Sequence, residues 1–137
     1  MDAPRTYLEA SVSTQQRGRL IVMLYDGAIK FLRIAKDKLA ERDYASKGVY
    51  IGKAQDIVFE LNNSLDIADG GELAQNLRAL YNFVYRRLSE ANIERSPAKI
   101  DDCIRVLDEL RGAWEEVASQ PNAAATSPAG VAGQYNA

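Results

Sequence analysis

Leu20-Ile21-Val22-Met23-Leu24-Tyr25-Asp26-Gly27-Ala28-Ile29-Lys30-Phe31-Leu32-Arg33-Ile34-Ala35-Lys36-Asp37-Lys38-Leu39 is a helix with apolar residues on far more than one face. At about 100° per residue, its apolar side chains from Met23 round to Val22 sweep an arc of roughly 260°, while Asp26, Lys30, Arg33 and Asp37 crowd into the remaining wedge. A helix with one side on a core and the other in water needs an apolar stripe of little more than about 100°. This segment therefore expects neighbours on most of its circumference. Those neighbours are other helices of the same fold, or partly another molecule.

Three further helical segments follow. The first helix extends from about residue 14, with Ser13 or Thr14 as cap, to about Ala40. A second starts near the N-cap candidate Asp43 and runs to about Leu65, with Tyr50, Ile51, Ala54, Ile57, Val58, Leu61 and Leu65 spaced by three and four. Asp69-Gly70-Gly71 breaks the chain, because consecutive glycines end helices and permit positive φ. A third helix carries Leu73, Leu77, Leu80, Tyr81, Val84, Leu88 and Ala91. Ser96-Pro97 opens the fourth with a cap and a first-turn proline, and its stripe is Ile100, Cys103, Ile104, Leu107, Leu110, Trp114 and Val117, ending near Ser119. Long helices joined by short polar or glycine-containing breaks must turn back on one another, so the expected fold is all-α, an antiparallel up-down four-helix bundle. The expected organisation is a leader over residues 1–13, the bundle over 14–119 and a disordered, alanine-rich tail over 120–137.

Composition narrows the function. The chain has 137 residues, 47% of them hydrophobic, which suits one domain with one core. A net charge of −2, with basic residues dispersed among acidic ones, leaves no basic stripe for nucleic acid. The single Cys103 cannot form an internal disulfide, and the first residues do not read as a signal peptide, so a cytoplasmic location is expected. No apolar run approaches the roughly 20 residues that span a bilayer. The chain contains no histidine, which removes phosphohistidine relays, Glu-x-x-His di-iron sites, zincins and the usual triads. No phosphate-binding glycine loop and no EF-hand spacing occur, so neither an enzyme nor a bound cofactor or metal is expected.

Several positions carry two readings. Gly27 interrupts the first helix at a cost of about 1 kcal/mol relative to alanine, which suits close helix packing or a groove for an incoming peptide. Gly48 and Gly52 beside Val49 and Phe59 pose the same choice on the second helix. Val49, Phe59 and Phe83 fall outside the main stripes, as isolated surface apolar residues or as parts of a patch. Cys103 and Trp114 read as core. Asp101-Asp102 and Asp108-Glu109 read as solvated faces, because adjacent helical residues point about 100° apart, and Arg86-Arg87 reads as a surface pair.

The segment Leu20 to Leu32 closely resembles the signature of the flagellin-specific export chaperones, the FliS family. Lys53-Ala54-Gln55-Asp56-Ile57-Val58 with Glu60-Leu61 and Ser64-Leu65-Asp66 is similar to the family's second-helix motif, and Gly70-Gly71-Glu72 with Asn76-Leu77 and Leu80-Tyr81 to its third. Leu107, Glu109-Leu110-Arg111 and Ala113-Trp114 resemble the closing helix, so the likeness covers roughly residues 7 to 117. One departure is the start of the first helix, where Ser13-Thr14-Gln15-Gln16-Arg17-Gly18-Arg19-Leu20 replaces a Ser/Thr-Pro-x-Glu-Leu pattern.

The resemblance implies a cytoplasmic, non-enzymatic chaperone. It would bind the disordered carboxy-terminal segment of flagellin one-to-one as a monomer, block premature polymerisation, and pass the client to the flagellar type III export gate. Expected client-binding residues are Val22, Met23, Tyr25 and Ile29 on the first helix and Ile51, Lys53, Ala54, Gln55, Val58 and Leu61 on the second. Tyr7, Leu8 and Val12 of the leader are expected as a displaceable cover of the client groove. An Ile29→Asp change is then expected to abolish client binding and spare the fold, with loss of both marking Ile29 as core. The competing reading is a structural bundle that self-associates through its surplus apolar face and has no peptide client.

Overall fold

The computed structural model describes residues 14–119, which form α1 (Thr14–Ala40), α2 (Tyr44–Asn63), α3 (Gly71–Glu94) and α4 (Pro97–Ser119). Among the described residues there is no strand. The expected leader over 1–13 and tail over 120–137 lie outside them.

Local chemistry sets the helix starts. The Asp43 carboxylate accepts from the Ser46 N–H at 3.2 Å, supplying a partner for a donor that the first turn of α2 leaves unmatched. Ser96 does the same for α4, its Oγ accepting from the Lys99 N–H at 3.2 Å, with Pro97 at the first helical position. Gly71, at φ 61°, supplies the expected glycine turn into α3. The other two turns differ from expectation, because their left-handed residues are Arg42 (φ 62°) and Arg95 (φ 54°). At Arg95 the strain is offset by tertiary contact: its guanidinium sits 3.7 Å from the centroid of the Tyr44 ring, and the following Ser96 N–H bonds Ala91 O at 3.0 Å.

Cross-helix contacts fix the direction of every neighbour. Phe31 lies against Tyr50, and Gly27 faces Ile57, so α1 and α2 run oppositely. Lys47 reaches Asn92 and Asn62 reaches Asn82, which makes α2 and α3 antiparallel. Lys99 bonds Glu90 and Cys103 faces Val84 O across α3 and α4, while Lys36 pairs with Asp101 and Asp26 with Arg111 across α1 and α4. The result is the antiparallel up-down four-helix bundle. α1 packs most extensively, against both α2 and α4.

Packing on two sides explains the wide apolar arc of α1. Tyr25, Ala28, Ile29, Leu32 and Ala35 are buried at the centre, and Ile21, Phe31 and Leu39 pack partly on the same core. A Cβ on Gly27 would stand 3.4 Å from Ile57 Cδ1, which supports the close-packing reading there. A closer helix approach at a glycine is at Gly18, where a Cβ would meet the backbone of Ala118 at 3.3 Å. Cys103 is buried as expected, and Phe83 is half-buried with the Arg87 guanidinium 5.1 Å from its ring centroid.

Candidate functional site

The sequence-derived client set divides when placed on the bundle. Tyr25, Ile29, Ile51, Ala54, Val58 and Leu61 are buried members of the core cluster. This is a correction to their expected place on a surface groove: their three-and-four spacing marks burial, and here the covering helices belong to the same chain. Val22 is half-buried, and Met23 is 67% exposed. Lys53 is exposed, with Nζ 5.5 Å from the Phe31 ring centroid and 5.6 Å from that of Tyr50, capping the α1–α2 seam. Gln55 is half-buried and spans to α3, donating to Tyr85 O at 3.1 Å and Ser89 Oγ at 2.8 Å. Tyr7, Leu8 and Val12 lie outside the described residues.

An apolar cavity of about 450 Å³ opens at the end of the bundle where α1 begins, α2 ends and α3 begins. α1 contributes Arg17, Leu20, Ile21 and Leu24 to its wall. The end of α2 and the turn after it contribute Leu61, Leu65 and Asp66, while Leu73, Leu77 and Tyr81 enter from α3 and Trp114 from α4. The cause is a mismatch of length: α2 stops at Asn63 and α3 does not start until Gly71, so among the described residues the last apolar layer has no further helical layer over it. Leu24, 38% exposed, stands at the rim.

Behind the cavity's Tyr81 and Trp114 wall, polar groups meet in the core. The Tyr25 and Tyr81 hydroxyls share a buried hydrogen bond of 2.5 Å. Burial pushes the Tyr81 phenol up to about 12 and raises Tyr25 well above the usual tyrosine value, so both are neutral donors and acceptors. The Trp114 indole N–H faces Tyr25, yet it is buried without a hydrogen bond of regular geometry. Cys103 is likewise raised to about 12 by burial, which makes it an inert thiol. Among the described residues there is no group of three side chains able to hold a metal ion, and no helix is long and apolar enough to cross a membrane. Asp101 and Asp102 serve in ion pairs: Asp101 bonds Lys36 at 2.6 Å, and Asp102 bonds Arg87 at 3.4 Å and Arg105 at 3.3 Å.

Among the described residues of the sequence-derived set, Leu61 alone lines this cavity. Leu20, Ile21, Leu24, Leu65, Leu73, Leu77 and Trp114 were readable only as stripe positions. Their common end becomes visible when the helices are folded back at Gly70-Gly71, which brings Leu61 and Leu65 level with Leu73 and Leu77. What such a surface can do chemically is bury apolar side chains.

A family model described as flagellar protein FliS matches residues 1–121 of the chain. The flagellar secretion chaperone FliSB of Pseudomonas aeruginosa is 36% identical over 110 residues, covering 80% of this chain and 87% of that protein. The flagellar secretion chaperone FliS of Salmonella typhimurium is 34% identical over 111 residues, covering 80% and 82%. That of Vibrio cholerae is 32% identical over 110 residues, covering 80% and 81%.

Proposed function

The chain belongs to the FliS family of flagellar secretion chaperones, and from that premise we propose that it binds the carboxy-terminal segment of flagellin at the open end of its bundle. The bound segment is kept from polymerising in the cytoplasm and is delivered to the flagellar type III export gate. The observation that carries this reading is the apolar end cavity, with Leu24 at its rim and Trp114 in its wall. A flagellin terminus that packs as helix inside a filament carries apolar stripes. Left free, those stripes find one another. A cavity of about 450 Å³ walled by leucines from three helices accepts such a stripe, side chain by side chain, in a helix-in-groove mode.

The client orders as it binds, and the entropy of that ordering offsets part of the gain from burial, which keeps release accessible without nucleotide hydrolysis. The role is non-enzymatic, and the complex is one chaperone to one client. Tyr7, Leu8 and Val12 act as a cover that the client displaces, since α1 begins at Thr14, one turn from the cavity residue Arg17. Met23 and Val22 extend the footprint along α1.

Calorimetric titration with a peptide of roughly the last forty residues of the organism's own flagellin tests this, read together with circular dichroism. One-to-one binding with a gain of helix and a negative heat-capacity change is the expected result. Leu24→Glu, at the cavity rim, should weaken it by about tenfold or more, since it places a charge against an apolar ligand, while the melting temperature stays near that of the parent. Unchanged affinity in Leu24→Glu would remove the cavity from the binding site.

A further inference from the structure

The seams of the bundle differ in how their charges are matched. Between α1 and α4, Lys36 bonds Asp101 and Arg111 pairs with Asp26. Between α3 and α4, Arg87 reaches Asp102 and Lys99 reaches Glu90. Across α2 and α3 there are cations but no ion pair among the described residues. Lys47 is held there by Asn92, through its backbone oxygen at 3.0 Å and its side-chain Oδ1 at 2.5 Å. Arg78 donates to Asn62 Oδ1 at 3.2 Å, and the exposed Arg86 has neither hydrogen bond nor ion pair.

On this seam lies a second hollow, of about 330 Å³, floored by Val58 and Tyr81 and flanked by Phe59, Tyr85 and Arg86. Phe59 is 55% exposed and Tyr85 42%, so two aromatic side chains on neighbouring helices face water across it. Among the described residues no carboxylate lines it. Cross-braces hold the two helices at this spacing: Gln55 to Ser89 at 2.8 Å on one side and Asn62 to Asn82 at 2.9 Å on the other. Exposed aromatics around a fixed hollow, with arginine at the edge, have the make-up of protein-binding hot spots.

The geometry points to a docking groove for an acidic amphipathic helix of a second protein, distinct from the client in the end cavity. Arg78 and Arg86 are eight residues apart on α3, about 12 Å along its axis at 1.5 Å per residue. A helix lying along the seam therefore meets both with carboxylates at i and i+7 or i+8, and with an apolar anchor between them entering the hollow beside Phe59 and Tyr85. The groove is on the outer side of α2 and α3, with Tyr81 as the wall between it and the end cavity, so both sites can be filled together. Charge matching here sets the choice of partner and the rate of encounter more than the final affinity.

The test uses the full chain and a synthetic amphipathic peptide of about twenty residues, with a phenylalanine anchor flanked by glutamates two turns apart. The control is the same peptide with lysine for each glutamate. The acidic peptide should bind, the lysine peptide should not, and added salt should weaken the complex. Arg86→Glu combined with Arg78→Glu, and separately Phe59→Ala, should each reduce binding by about tenfold or more, with melting temperature and affinity for the flagellin peptide unchanged. Equal binding of the two peptides, or binding of the acidic one that ignores all three substitutions, overturns the groove. Stoichiometric displacement by the flagellin peptide overturns the second partner and gives the groove to the client. Failure of flagellin to bind at the end cavity leaves the peptide charge-reversal, salt and substitution readouts intact, so the two readings fail separately.

Discussion

Tyr25 and Tyr81 place their hydroxyls 2.5 Å apart in a buried core whose other members, Cys103 apart, are aliphatic. Their ordinary pKa is 10.0, and burial raises Tyr81 to about 12, with Tyr25 displaced the same way. Above pH 10 the unfolded chain therefore releases these protons while the folded one keeps them. Stability that is fully present below that pH is lost as pH rises through the folded values. Cys103 acts in the same direction, starting from 9.0 and displaced by burial to about 12. Urea midpoints measured from pH 8 upward should fall progressively above about pH 9. Tyr81→Phe should lower stability at neutral pH by about 1–3 kcal/mol, because it strands the buried Tyr25 hydroxyl, and should flatten part of the alkaline decline.

Ile29 is the residue at which sequence and structure part most clearly. It is 3% exposed within the core cluster, so Ile29→Asp buries an unpaired carboxylate and should cost on the order of 4 kcal/mol or more. Loss of the thermal transition, together with loss of client binding, is the expected outcome. Met23→Asp, on the exposed side of the same helix, should stay within about 0.5 kcal/mol of the parent. The two could not be separated by periodicity. An apolar arc as wide as that of α1 has no polar boundary on the core side to say where its own bundle stops.

Helix boundaries were the part most open to reading from residues, because caps act locally. Asp43, Ser96-Pro97 and Gly70-Gly71 each do at close range what their side chains or backbones allow. Ser96→Ala should cost about 1 kcal/mol, read as a shift in urea midpoint. The Asp43 carboxylate is held below its usual pKa by its bonds to Ser46, so its contribution is present at neutral pH and fades as pH falls through that lowered value. Asp43→Asn should retain most of the cap and Asp43→Ala should lower the melting temperature. The turns at Arg42 and Arg95 were not readable. Neither residue favours a left-handed backbone, and at Arg95 the stacking on Tyr44 comes from a helix fifty residues earlier in the chain.

For the molecule as a whole, the four-helix architecture and the family were both evident in the chain, the first from spacing and breaks, the second from motifs along four helices. The site was not. Apolar spacing reports that a side chain will be covered and is silent on what covers it, so it gathered core residues such as Ile51 and Ala54 with surface ones such as Met23. The end cavity exists because α2 and α3 are separated by a seven-residue stretch, from Ser64 to Gly70, and leave the leucines beneath them without a helical layer among the described residues. That is a property of the assembled bundle. The α2–α3 hollow likewise sets Phe59, which stands outside the apolar stripe of its own helix, beside Tyr85 of the next, a pairing that only the folded bundle makes.

The chain's one tryptophan, Trp114, lines the end cavity, which makes its fluorescence the most direct report on the central claim. Titration with a tryptophan-free carboxy-terminal flagellin peptide should shift the Trp114 emission to shorter wavelength and protect it from an aqueous quencher, saturating at one peptide per chain. Saturable binding by calorimetry that leaves Trp114 emission and quenching unchanged, in the parent and in Leu24→Glu alike, would contradict it.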